Sequence, residues 1–158
     1  MNLSTADLCD EHDGDAHVVQ APWRSFGRHK AFAGLVRTLE VFEDNTLVRA
    51  ALETEGEGHV LVVDGGGSDR CALVGDQLAT LAFENGWAGI VVYGYIRDSA
   101  IIDTLPVGVK ALGTSPRKSV KAGAGTANEP ITIAGVEIRN GHMLVADPDG
   151  VITLRNPS

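Results

Sequence analysis

The chain has 158 residues, of which 44% are hydrophobic, and a formal net charge of -8. That length suffices for one domain with its own core, read as residues 1–158. The acidic balance argues against direct nucleic-acid binding, which needs a basic footprint, and 5% aromatic content argues against base-stacking surfaces. No apolar run approaches the roughly 20 residues of a membrane span, and the acidic amino terminus MNLSTADLCDEHDGD lacks a signal-peptide layout. A cytoplasmic chain with no membrane partner is expected, its two cysteines, Cys9 and Cys71, being free thiols.

Taken in order, Ser4 or Thr5 caps a short helix to Glu11 or His12, with Asp7 favouring its positive end. Val18 to Ala21 reads as a short strand stopped by Pro22, and PWRSFGRHK as a loop. Ala31 to Phe42, rich in Val, Leu and Thr, reads as a strand. Asp44 or Asn45 starts a helix to about Glu55, with Val48, Ala51 and Leu52 on its apolar face and Gly56 and Gly58 as stops.

The stretch from His59 to Asp98 organises the rest. His59 to Asp64 is an almost unbroken apolar run, as expected of a strand covered on both faces. Gly65, Gly66 and Gly67 follow, and then a helix from about Asp76 to Asn85 with Leu78, Leu81 and Ala82 on one face. Gly86 closes it, and Ala88 to Tyr93 is a second apolar strand. A strand-helix-strand unit of this length predicts a right-handed parallel crossover, whose ligands bind beyond the carboxyl ends of the strands. Two features meet there: the helix start, Gly75 to Leu78, with free amides and a positive dipole end, and Arg97-Asp98. A small, anionic, metal-chelating substrate fits such a pair.

Ser99 to Leu105 reads as a helical turn closed by Pro106, Val107 to Leu112 as a strand, and Arg117 to Asn128 as an exposed loop. Arg117, Lys118 and Lys121 in that loop either reach a neighbouring subunit or remain solvated, the solvated reading being the commoner fate of a charge run. From Pro130 onward four short alternating runs are separated by Ala134-Gly135, Asn140-Gly141 and Asp149-Gly150, which predicts antiparallel β packed against the α/β unit.

Several chemistries are disfavoured by spacing. Arg70 stands where a dinucleotide fingerprint needs its last glycine, and no lysine follows the glycines as a P-loop requires. The five histidines, His12, His17, His29, His59 and His142, have no zinc-ligand spacing. Cys71 reads as packing, and Asp64 either orients Arg97 or caps the glycine loop.

TADLCDEH (5–12), FAGLVRTLEVFEDNTLVRAAL (32–52), VLVVDGGGSDRCALVGDQLA (60–79), GWAGIVVYGYIRD (86–98), VGVKALGTSPRKSVKAGAG (107–125) and GVEIRNGHMLVADPDGVI (135–152) together resemble the family called regulator of ribonuclease activity A. That family also covers metal-dependent 4-hydroxy-4-methyl-2-oxoglutarate aldolases that decarboxylate oxaloacetate. The resemblance implies an α/β fold of swivelling β/β/α type and a homotrimer with sites at the protomer interfaces. It also implies a lyase that gives pyruvate from a small 2-keto dicarboxylic acid. It places the keto acid on the backbone of Gly75, Asp76, Gln77 and Leu78, Arg97 on the developing enolate, and Mg²⁺ or Mn²⁺ on Asp98. The alternative it implies is a regulator that binds and inhibits ribonuclease E without chemistry.

Two departures matter. Ile101 stands where the catalytic motif has an acid, leaving Asp103 as the nearest carboxylate, and the sequence given ends at Ser158 without the family's longer carboxy-terminal extension. Decarboxylation, which needs no base to start, is therefore expected to be the more robust activity.

Overall fold

A computed structural model describes residues 2–156; Ser158 lies outside them. The run Val60–Asp64 is apolar because both its faces are covered. Leu61 and Val63 enter one core cluster, while Val60 and Val62 enter another on the opposite face.

The elements before it are α1 (Thr5–Glu11), β1 (Ala16–Val18), β2 (Arg24–Phe26), β3 (Phe32–Glu40) and α2 (Thr46–Leu52). Val60–Asp64 is β4, followed by β5 (Ala72–Val74), α3 (Asp76–Glu84), β6 (Gly89–Tyr93) and β7 (Tyr95–Ile96). Then come α4 (Ser99–Ile102), β8 (Val109–Ala111), β9 (Gly113–Thr114) and β10 (Thr126–Ala127). The chain closes with β11 (Ile131–Ile133), β12 (Val136–Ile138), β13 (Met143–Asp147) and β14 (Gly150–Leu154).

The main sheet runs β1-β14-β13-β3-β4-β6-β8-β2, with β10 also paired to β3. Its centre, β3-β4-β6-β8, is parallel, as the crossover reading requires. A second sheet, β5-β7-β9, is also parallel and lies with α2 and α3 over one face of the first. The β11-β12 hairpin covers the other face, its Ile131, Ile133 and Ile138 packing on Phe32, Val60 and Val62.

The two sheets are joined by short steps. One residue, Gly94, separates β6 from β7, and one, Leu112, separates β8 from β9. The step from β4 to β5 is longer and holds the glycine loop. There Gly65 and Gly67 donate to the Tyr93 carbonyl at 3.0 and 3.1 Å, and Gly66 donates to Asp64 Oδ1 at 3.0 Å. Gly66 and Gly67 have φ of +67° and +72°, a region that favours glycine. The loop's amides are thus spent on the protein itself, and Asp64 caps the loop.

Several boundaries differ from the sequence reading. The first strand sits at 16–18 because its partner register is Ala16 to Val18 against β14, after which the chain turns at Ala21 to Trp23. The PWRSFGRHK loop contains β2, held by edge pairing to β8 that three residues cannot signal by alternation. Helix α2 ends at Leu52, with Thr54 N donating to the Ala51 carbonyl. Its first turn is capped by Asp44 Oδ1, which accepts from Thr46 N and Oγ1, while Asn45 reaches the Leu73 carbonyl instead. β13 and β14 do not form a layer of their own: β13 pairs with β3 and extends the main sheet.

Candidate active site

The small sheet determines where the site lies. Its three parallel strands end side by side at Val74, Ile96 and Thr114. Arg97 N donates to the Val74 carbonyl at 2.9 Å and Ser115 N to the Ile96 carbonyl at 2.9 Å, so the ladder continues just past the strands. The Arg-Asp pair therefore follows β7 in the second sheet, not the end of β6 as the sequence suggested.

Gly75 leaves β5 extended and starts α3. A Cβ there would lie 2.8 Å from Asp98 Oδ2 and 3.6 Å from Arg97 Nε, so a side chain at this position would push the Asp98 carboxylate from its place. Asp98 has φ +59° and ψ +36°, a left-handed conformation that turns the chain from β7 into α4. That turn aims the carboxylate back at the start of α3, where Oδ2 accepts from Asp76 N at 3.1 Å. Asp98 thus caps a helix from another segment and sits in the field of its positive end. The first-turn amides of Gln77 and Leu78 face no carbonyl of their own helix and stay open to a ligand.

A cavity of about 180 Å³ opens here. Gly75, Asp76, Gln77, Leu78, Arg97 and Asp98, all six residues expected from the sequence, line it. Asn45, Arg49, Ala72, Lys118, Ser119 and Lys121 complete the wall. Arg49 comes from α2 and donates to Gln77 Oε1 at 3.3 Å. Lys118, Ser119 and Lys121 come from the loop whose basic run read as solvated; two of its cations in fact face the site.

That loop is pinned by its backbone. Ala72 N donates to the Arg117 carbonyl, Val120 N donates to the Glu43 carbonyl, and Asp44 Oδ2 accepts from Ala122 N and Ala124 N. Nothing in the local pattern of RKSVKAGAGTAN marks these contacts, since the Asp44 partner lies 78 and 80 positions away in sequence and Ala72 is also remote from Arg117. Asn45 Oδ1 and Ser119 Oγ, both in wall residues, have no hydrogen-bond partner.

Other candidates fall away from the site. Asp103 Oδ1 accepts from Gly27 N at 2.8 Å, so it braces a loop and does not replace the acid missing at Ile101. Ile101 itself is 49% exposed. Cys71 is buried, and burial pushes its thiol up, which suits packing and not nucleophilic attack. Among the described residues no group of three or more His, Cys, Asp and Glu gathers as a closed metal site. An ion that keeps most of its own waters and takes one or two carboxylates needs no such group, and Asp98, with Oδ1 uncommitted and Asp76 beside it, fits that kind.

A family model described as RraA-like, Aldolase/RraA, matches residues 5–153. A protein of Laribacter hongkongensis provisionally named 4-hydroxy-4-methyl-2-oxoglutarate aldolase is 57% identical over 99% of both chains. Among solved structures, the RNA-processing inhibitor RraA from Thermus thermophilis superposes with a TM-score of 0.95 at 47% identity, covering 100% of this chain and 96% of that one. A structure named S-adenosylmethionine: 2-dimethylmenaquinone methyltransferase from Geobacillus kaustophilus gives 0.94 at 48% identity, covering 96% and 94%. The names differ in activity; the fold and nearly the whole chain are shared.

Proposed function

This chain belongs to the RraA-like, Aldolase/RraA family, and on that premise we propose that it is a divalent-cation-dependent lyase cleaving the C3–C4 bond of short 2-keto dicarboxylic acids to give pyruvate. The observation that carries the reading is the meeting of Arg97, Asp98 and the open start of α3 in one cation-rich cavity. The aldolase naming of the 57% identical relative supports it.

In this reading the substrate's 1-carboxylate lies on the Gln77 and Leu78 amides, where the helix end favours an anion. Asp98 would hold Mg²⁺ or Mn²⁺, which would supply Lewis-acid polarisation at the keto group. Arg97 faces the keto oxygen, where negative charge grows as the bond breaks, so its guanidinium binds the transition state more tightly than the substrate. From 4-hydroxy-4-methyl-2-oxoglutarate, transfer of the hydroxyl proton to a water or a nearby carboxylate turns C4 into the carbonyl of one pyruvate. The bonding pair passes to the enolate of the second, which then takes a proton. From oxaloacetate, the same pair is left behind as CO₂ departs. The same reading makes the chain a homotrimer with sites at its interfaces, for which exposed Ile101 and Val120 offer apolar contact surface.

The test is pyruvate release from oxaloacetate with Mg²⁺ and with EDTA, corrected for the metal-driven background, in wild type, Arg97→Ala and Asp98→Ala. Metal-dependent turnover that falls by on the order of 100-fold or more in both variants is the expected result. A wild-type rate equal to background would overturn it. It would also put first a second reading, supported by the 47% identical RNA-processing inhibitor: a regulator that docks on ribonuclease E without chemistry. Inhibition of that kind would survive both substitutions.

A further inference from the structure

We propose that Lys110 is the reactive amine of a second site, a small cavity in which a short neutral aldehyde is held as a reversible imine. The site lies across the main sheet from the Arg97-Asp98 cavity and stands independently of the lyase reading.

The first ground is placement. Val109 and Ala111 of β8 enter the core cluster under α2 and α3, so Lys110 between them points to the opposite face of the sheet. There its register partner on β6 is Val91, a member of the second core cluster. Lys110 is 3% exposed. Its ammonium has three donors, of which one goes to Ser25 Oγ at 2.8 Å. Asp147 attracts it through space, but the Asp147 oxygens accept from Thr5, Asp149 and Gly150. Among the described residues the ion pairs are Arg70 with Glu43 and Arg139 with Glu137, so no carboxylate touches Lys110. A lysine so placed costs stability, and titratable groups held at such a cost gather where chemistry uses them.

The second ground is space. Lys110 lines a cavity of about 120 Å³ between the 18–23 segment and the β13-β14 turn. Val19, Ala21, Pro22 and Val151 give it apolar walls. Two further lining residues, Pro148 and Asp149, are exposed, so the cavity reaches the surface. Lys110 is the one cation among its lining residues and Asp149 the one carboxylate. A ligand with its own carboxylate would share Lys110 with Asp147 and face Asp149. A neutral carbonyl compound of a few carbons meets neither penalty, and an aldehyde has only hydrogen on one side of the carbon to be attacked.

The chemistry follows from the surroundings. Burial pushes the Lys110 amine toward its neutral form, which is the nucleophile. Nζ attacks the carbonyl carbon, the C–N bond forms, and the C=O pair moves to oxygen. A proton passes from nitrogen to that oxygen, with the Ser25 hydroxyl in hydrogen-bond reach of Nζ to carry it. The oxygen then leaves as water and C=N remains, so amine and aldehyde give imine and water with no redox change. The protonated imine keeps the charge of the original ammonium and with it the attraction of Asp147.

The experiment treats the full chain with propanal and cyanoborohydride, which reduces an imine to a stable propylamine, and follows each lysine by peptide mass mapping over time. Lys30, Lys118 and Lys121 are exposed and serve as internal controls. At about pH 7 an ordinary lysine is neutral to only on the order of 1 part in 1,000, so Lys110 is expected to label about 10-fold or more faster than all three. Two other probes test the cavity: glyoxylate, an aldehyde that carries a carboxylate, and naphthaldehyde, which is too large to enter. Both should label the exposed lysines ahead of Lys110. Lys110→Met should remove the fast site and keep a cooperative thermal melt. Labelling of Lys110 by propanal no faster than the controls would overturn the proposal. So would fast labelling of Lys110 by all three aldehydes alike, since local opening and not a selective cavity would then explain it.

Discussion

The site depends on one position with no side chain. Gly75 has φ of -121°, which any residue can adopt, so its conformation does not demand glycine. Space does: a Cβ would stand 2.8 Å from Asp98 Oδ2. Gly75→Ala should fold, lose the Asp76–Asp98 contact and displace the carboxylate. Because displacements of about 1 Å can cost ~100-fold in rate, activity should fall by about that factor while Tm moves by only a few degrees. Kinetics beside a thermal melt would check this; an active Gly75→Ala would mean Asp98 is free to move without consequence. Asp98 itself shows the complementary constraint, since its φ of +59° places a side chain where the backbone resists one and a carboxylate is what the site uses.

Among the elements, the β11-β12 hairpin tests how far turn chemistry governs this fold. Ile133 pairs directly with Val136, so the loop is the two residues Ala134 and Gly135, with φ of +50° and +79°. Both positions are left-handed, as in a type I′ turn, and alanine is a poor choice for the first. Ala134 is exposed, so Ala134→Asn should relieve the backbone without touching the core. A gain of about 1 kcal/mol is expected, or roughly 2–4 °C in Tm. An unchanged or lower Tm would show that strain here is absorbed elsewhere. The weakest of the three turn signals thus closes a tight hairpin. Asn140-Gly141, a stronger signal, joins strands that do not pair, and at Asp149-Gly150 the loop is shifted by one residue to Pro148 and Asp149.

For the molecule as a whole, Asp44 and Lys110, two of three buried charged residues, act on opposite arms of the pH–stability profile. Asp44 is 1% exposed, and its carboxyl is held well below the usual carboxylate range, chiefly by the Thr46 amide, with Ala124 and Ala122 amides adding to it. A depressed folded value means its contribution is complete above about pH 4 and is lost as pH falls toward that value. Lys110 is 3% exposed, with Ser25 Oγ as hydrogen-bond partner at 2.8 Å. Burial pushes its pKa down, against the attraction of Asp147. Between that lowered value and the ordinary lysine value of about 10.4 the folded chain binds fewer protons than the unfolded one, so this group makes stability rise with pH across that window alone.

Urea midpoints taken from about pH 3 to about pH 10 would separate the two arms. Lys110→Met should flatten the alkaline arm and raise stability at neutral pH by about 1 kcal/mol, since burying the cation costs more than the attraction of Asp147 returns. Asp44→Asn should flatten the acid arm and cost on the order of 2 kcal/mol, because amides it serves lose a charged acceptor. A Lys110→Met profile parallel to wild type would remove Lys110 from this account.

At the same scale lies the division between what was readable in the chain and what was not. Hydrophobic period and glycine stops were enough for β3, β4, α3 and β6, and capping residues for α1, because each signal is local. The six residues around Gly75 and Arg97 were legible because the helix start and the Arg-Asp pair are contiguous motifs. Two-residue strands such as β7 and β9 carry no period, so the second sheet was invisible, and with it the true seat of Arg97-Asp98. Lys118 and Lys121 read as solvated charges and Arg49 carried no motif; only contacts far apart in sequence, through Asp44, Glu43 and Ala72, bring the loop to the cavity. The sequence by itself determined the parallel centre, the family and the Arg97-Asp98 motif, since those rest on neighbouring residues. The tertiary structure alone decided which sheet carries the site and which cations face it, because both follow from pairings that no local pattern encodes.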